Sequence, residues 1–104
     1  MAAEMSGTPN QVEWAGRIKC LVNEEFDRVA SAFQRVAAKQ IKARRADTEA
    51  ILGILTEKRA AVMGRQEAGY FIREWQEMGD RVRQMIFHDP RYQEIKAGRV
   101  GVRA

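Results

Sequence analysis

A chain of 104 residues, 45% of them hydrophobic, is long enough to close one small core and too short for two. One cysteine, Cys20, and one histidine, His88, exclude an intramolecular disulfide and leave too few soft ligands for a zinc or iron–sulfur centre. The formal charge of +4 is unevenly spread: residues 9–38 and 64–88 are each balanced, and the excess lies in KQIKARRA at residues 39–46 and in the end that carries Arg99 and Arg103.

The opening MAAEMSG carries Glu4 and lacks an apolar run of signal-peptide length, and AILGIL at residues 50–55 is too short to span a bilayer. The expected address is the cytoplasm, with residues 1–7 a disordered tail ahead of one helical domain at residues 8–98. TPNQ at residues 8–11 is a helix start, with Thr8 as N-cap, Pro9 at the first helical position and Gln11 placed to return a capping-box hydrogen bond. Val12, Ala15, Ile18, Val22, Phe26, Val29, Phe33 and Val36 then recur at helical spacing. That stripe predicts an unbroken helix to about residue 38 or beyond, roughly 45 Å long.

The basic run comes next, where cations suit the negative end of a helix dipole. Asp47 is the predicted N-cap of a second helix, with Glu49 in its first turn, an apolar face of Ile51, Leu52, Ile54, Leu55 and Val62, and a stop at Gly64. That face and the one formed by Ala68, Phe71, Ile72, Trp75, Val82 and Ile86 point about 150° apart on a straight helix, which predicts a break near residues 64–67. The third helix is expected to extend to about Phe87. Asp89 then caps a short fourth helix from Pro90, Gly98 ends it, and residues 99–104 form a basic tail. A second helix of about 17 residues spans roughly 25 Å, so the third must also pack on the first. The predicted class is therefore all-α: a small helical bundle with one long N-terminal helix, two further helices packed on it and a short C-terminal one. The apolar surface left over on the first helix leads us to expect a homodimer.

Phe71, Ile72 and Trp75 fall on the core face of the third helix and read as packing. Tyr70 lies on the far side, beside Glu74 and Glu77, and is a candidate interface anchor. Trp14 flanks the stripe of the first helix above Ile18 and Leu21, where it packs inside the monomer or meets a partner. Cys20 projects opposite the stripe and is expected to be partly exposed, without a base beside it to make it a nucleophile. His88 next to Asp89 reads as a helix stop and N-cap ahead of an acid–base pair. Glu24, Glu25 and Asp27 form a solvated face, and no Glu-x-x-His pair exists for a di-iron bundle. Gly16, Gly53, Gly69 and Gly79 each weaken a helix by about 1 kcal/mol relative to alanine, and close helix approach is the expected compensation, with a frayed first turn as the alternative for Gly69.

Lys39, Lys42, Arg44 and Arg45 surround Ile41 and are the candidate phosphate contacts. Binding there would weaken steeply with salt, although no aromatic is interleaved for base stacking. A membrane partner is not expected, because the apolar half of this segment is assigned to the core.

Two stretches, TPNQVEWAGRIK at residues 8–19 and AGYFIR at residues 68–73, resemble a pattern in uncharacterised bacterial and phage-associated helical proteins. Those open with Thr-Pro/Ser-x-Gln-x-x-Trp-Ala-x-x-Ile-Arg/Lys and later carry Ala-x-Trp-Trp-Ile-Asp. Tyr70, Phe71 and Ile72 stand at the aromatic-aromatic-Ile positions, and Arg73 replaces the acidic residue. The resemblance implies a helical accessory protein, with Trp14, Tyr70 and Phe71 as a shared surface or core, and transfers no catalytic role. The sequence thus points to a non-enzymatic interaction module with an unknown protein partner and no cofactor or metal. A nucleic-acid-binding protein that uses residues 39–45 is the alternative.

Overall fold

A computed structural model describes the backbone of residues 5–103 and the side chains of residues 5–98. The described residues form five helices: α1 (Pro9–Ala38), α2 (Lys42–Met63), α3 (Ala68–Trp75), α4 (Arg81–Phe87) and α5 (Pro90–Arg103). Together they make an elongated all-α bundle of 55 × 24 × 23 Å.

The capping box forms as the sequence predicts. Gln11 N–H donates to Thr8 Oγ1 at 3.3 Å, and Thr8 N–H donates to Gln11 Oε1 at 3.0 Å. From there the stripe of α1 buries Ala15, Ile18, Val22, Phe26 and Val29. Helix α2 returns antiparallel, its Arg59 reaching Asn23 Oδ1 at 2.6 Å and Asp27 at 2.6 Å. Gly64 caps it, and α3 then runs back along α1, because the two apolar faces on either side of residues 64–67 can only meet α1 if the chain turns there. Trp75, Phe26, Phe71 and Ile86 are the largest fully buried side chains, each contributing about 1.5–3 kcal/mol through burial. Phe26 and Trp75 meet with ring centroids 6.2 Å apart.

The helix limits differ from the sequence expectation at four places. First, α2 starts at Lys42, with Ile41 as N-cap and no side-chain cap, so Asp47 lies inside the helix. The reason is visible at the turn: Arg45 donates to the carbonyls of Ala37 and Gln40, each at 3.1 Å, and Thr48 donates to Gln40 Oε1 at 2.6 Å. Arg45 and Thr48 share a face only if the backbone is already helical at residue 45. Second, the predicted third helix is interrupted between Trp75 and Arg81. Gly79 adopts φ +48° there, and Arg81 donates to the Glu74 carbonyl at 2.6 Å and lies over the Trp75 ring at 4.8 Å. The guanidinium serves the carbonyl end of α3 that a continued helix would have served. Third, α5 passes through Gly98 and continues to Arg103.

Fourth, a backbone contact occurs within the span expected to be a disordered tail. Ser6 N–H donates to Gln66 O at 2.7 Å, and Ala68 N–H donates to Ser6 O at 2.9 Å, beside Gly7 at φ +142°. Residues 1–4 lie outside the described residues. The glycines do not behave as expected either: a Cβ at Gly16, Gly53 or Gly79 would meet nothing within 4 Å, so close helix approach explains none of the three.

Candidate functional site

The two residues singled out as an interaction surface part company. Tyr70 is half-buried and structural. Its hydroxyl accepts from Trp75 Nε1 at 3.1 Å, its ring meets Phe71 edge-on at 5.1 Å, and the Arg65 guanidinium lies 4.0 Å above it. The expectation of an exposed tyrosine fails because Arg65, in the turn between α2 and α3, folds its guanidinium over the ring and the Trp75 indole engages the hydroxyl, covering the side that helical phase alone assigns to solvent. Trp14 is 45% exposed, and Leu21, two turns further along the same flank of α1, is 56% exposed. Trp14 therefore sits at the edge of the bundle.

Cys20 is exposed, as expected. His88 is also exposed and closes α4, its N–H donating to Gln84 O at 3.0 Å. Asp89 is buried. It caps α5 by accepting from Arg91 N–H at 2.8 Å, and it binds the Arg91 guanidinium at 3.0 Å and Lys58 Nζ at 2.9 Å. Arg91 in turn pairs with Glu57. Sequence reasoning finds the cap and misses this network, because the pairing of Lys58 and Glu57 with the α4–α5 turn depends on tertiary placement. The Arg91 guanidinium, then Lys58, hold the Asp89 carboxyl well below the usual carboxylate range. Satisfied on every side, it ties α2 to α5 and offers nothing for acid–base chemistry. A shallow open groove of about 630 Å³ lies beside it, lined by Ala50, Gly53, Ile54, Glu57, Arg91, Glu94 and Ile95. Its one guanidinium is committed to the network. Among the described residues, no group of three or more His, Cys, Asp or Glu side chains is placed to hold a metal ion.

The basic segment lies elsewhere in the fold than its sequence suggests. With α2 beginning at Lys42, the cations of KARR occupy the first turn of that helix, at the positive end of its dipole. Each is disfavoured there by a few tenths of a kcal/mol. Arg45 is accounted for by the carbonyls of Ala37 and Gln40. Among the described residues, Arg35, Lys39, Lys42 and Arg44 have no carboxylate within ion-pair distance, and neither do Lys19, Arg73 and Lys96 elsewhere, whereas Arg17, Arg28, Lys58, Arg59, Arg65, Arg81, Arg83 and Arg91 are all paired. Between them stands Ile41, 71% exposed, with Val36 at 49%. The assignment of this apolar half to the core is thus corrected: both side chains look outward at the corner where α1 hands over to α2.

Among the described residues, no helix is long and apolar enough to cross a membrane. Compared with protein-family models, with curated proteins and with solved structures, the chain matches none.

Proposed function

We propose that this chain is a non-enzymatic helical interaction module of the cytoplasm whose working surface is the α1–α2 corner, and that it holds a phosphodiester-bearing polyanion there. The observation that supports this reading is the segregation of charge. Most cations along the rest of the described bundle are matched by carboxylates, with Lys19, Arg73 and Lys96 as scattered exceptions, while Arg35, Lys39, Lys42 and Arg44 lie unmatched around one corner, and three belong to a segment of eight residues. The C-terminus of α1 accounts for Arg35 and Lys39 without a ligand, but the start of α2 at Lys42 withdraws that explanation for Lys42 and Arg44. An exposed thiol at Cys20 suits a reducing compartment. The nucleic-acid alternative uses Lys39, Lys42, Arg44 and Arg45.

The test is binding of the purified protein to duplex DNA and to anionic lipid vesicles at low and moderate salt. Binding to at least one, falling steeply with salt and lost in the Lys39→Glu/Lys42→Glu/Arg44→Glu variant, is the expected result. No binding to either at low salt overturns the reading.

A second reading is self-association through the flank of α1, favoured by the exposure of Trp14 and Leu21 on one face. Sedimentation equilibrium at high micromolar concentration is expected to show a dimer that Trp14→Ala weakens. A monomer would remove it.

A further inference from the structure

The corner carries one feature that a phosphate-binding surface does not need. Ile41 is the N-cap of α2 and the most exposed large hydrophobic residue described, at 71%, and it sits at the tip of the hairpin with Lys39 before it and Lys42 and Arg44 after it. We infer that the polyanion is an anionic lipid surface, into which Ile41 inserts while Arg35, Lys39, Lys42 and Arg44 contact the headgroups. This rests on the corner being the working surface, as proposed above.

Three candidate occupants can be compared by their chemistry. A nucleic-acid backbone matches the cations but offers no apolar surface to a branched aliphatic side chain at their centre, and the corner supplies no aromatic ring for a base to stack upon. A second copy of the same corner would bring four unpaired cations against four others. An anionic bilayer supplies both halves of the match: phosphates and carboxylates in the headgroup layer for the cations, and the acyl boundary just beneath for the isoleucine. The shape agrees. The tip lies where two helices end, on a bundle only 24 × 23 Å across its long axis, with Tyr92, Ile95 and Lys96 of α5 sharing a groove with Val36, Gln40 and Thr48 beside it. Val36, half-exposed one turn before Gln40, widens the apolar contact on the α1 side.

The experiment is flotation of the full chain with vesicles of pure phosphatidylcholine and of phosphatidylcholine with about one-third phosphatidylglycerol, beside a gel shift with duplex DNA. The wild-type protein is expected to float with the anionic vesicles and not with the neutral ones. Ile41→Asp should weaken that binding at least about tenfold, and Ile41→Leu should preserve it. Each of Lys39→Glu and Lys42→Glu should weaken it about fivefold or more. Ile41 is exposed and outside the core, and aspartate is a better N-cap than isoleucine, so Ile41→Asp should melt no lower than the wild type. Anionic vesicles bound equally well by Ile41→Asp and wild type would overturn the insertion while leaving the polyanion reading intact. So would binding of DNA without binding of vesicles. Absence of binding to both removes the two proposals together.

Discussion

Replacing Tyr70 with phenylalanine removes one oxygen atom and separates the observed packing from the surface role that helical phase assigns to this residue. The indole Nε1 of Trp75 donates to that oxygen at 3.1 Å, and Trp75 itself is 1% exposed. In the variant the aromatic ring remains against Phe71 and under Arg65, but the indole N–H is left buried without an acceptor. A buried donor that loses its partner destabilises by about 1–3 kcal/mol; with the half-buried rim of Tyr70 nearby, about 1.5 kcal/mol is the expected loss. For a domain of this size each kcal/mol lowers Tm by roughly 4–8 °C, so Tm should fall by about 6–12 °C. With a urea m-value of roughly 1.5 kcal/mol/M, the midpoint should move by about 1 M. The assay is urea unfolding followed by tryptophan fluorescence, with thermal melts by circular dichroism. A midpoint unchanged to within about 0.2 M is the result a solvent-exposed tyrosine would give, and it would refute the placement of α3 against the core.

Arg45→Ala should destabilise by about 1 kcal/mol, since the carbonyls of Ala37 and Gln40 lose the guanidinium that bridges them, whereas Arg44→Ala should stay within about 0.5 kcal/mol; paired thermal melts compare them. Gly79→Ala places a side chain at φ +48° and should destabilise by about 1 kcal/mol, while Gly53→Ala, on an exposed helical turn with space for a Cβ, should stabilise by a similar amount. The lowered proton affinity of folded Asp89, due first to Arg91 and then to Lys58, gives a signed pH dependence. The folded state binds this proton less readily than the unfolded chain, so the stabilisation is fully present above the ordinary aspartate value of about 4 and is lost as pH falls below it. Melts between pH 7 and pH 2.5 should show Tm declining with acid, and Asp89→Asn should lower Tm at pH 7 and flatten that decline.

The long helix was legible because two independent signals agree on it: a capping box that needs only residues 8–11, and a stripe from Val12 onward that never loses phase. The turn at residues 64–67 was legible from the mismatch of two apolar faces. The break after Trp75 was hidden for the opposite reason. Phe71, Trp75, Val82 and Ile86 stay in phase across it, so periodicity sees a continuous helix, and only the reach of Arg81 back to Glu74 O, a tertiary event, shows why the chain turns at Gly79. The start of α2 was misplaced because Asp47 is a better N-cap than Ile41 by local preference, and the contacts of Arg45 and Thr48 across the turn outweigh that preference. The candidate cations were visible in the sequence. Their meaning was not, since a shift of one helix start leaves Lys39 at the end of α1, moves Lys42, Arg44 and Arg45 to an unfavourable dipole end and turns Ile41 from a core residue into an exposed tip.

A heteronuclear NMR titration of the labelled protein with a short-chain anionic phospholipid, below its micelle concentration and again as mixed bicelles, addresses the corner directly. Amide shifts that grow with bicelle addition and concentrate on residues 35–46, largest around Ile41, are the predicted result. Shifts centred on Trp14 and Leu21, or none at any lipid concentration, would contradict the assignment of the α1–α2 corner as the working surface.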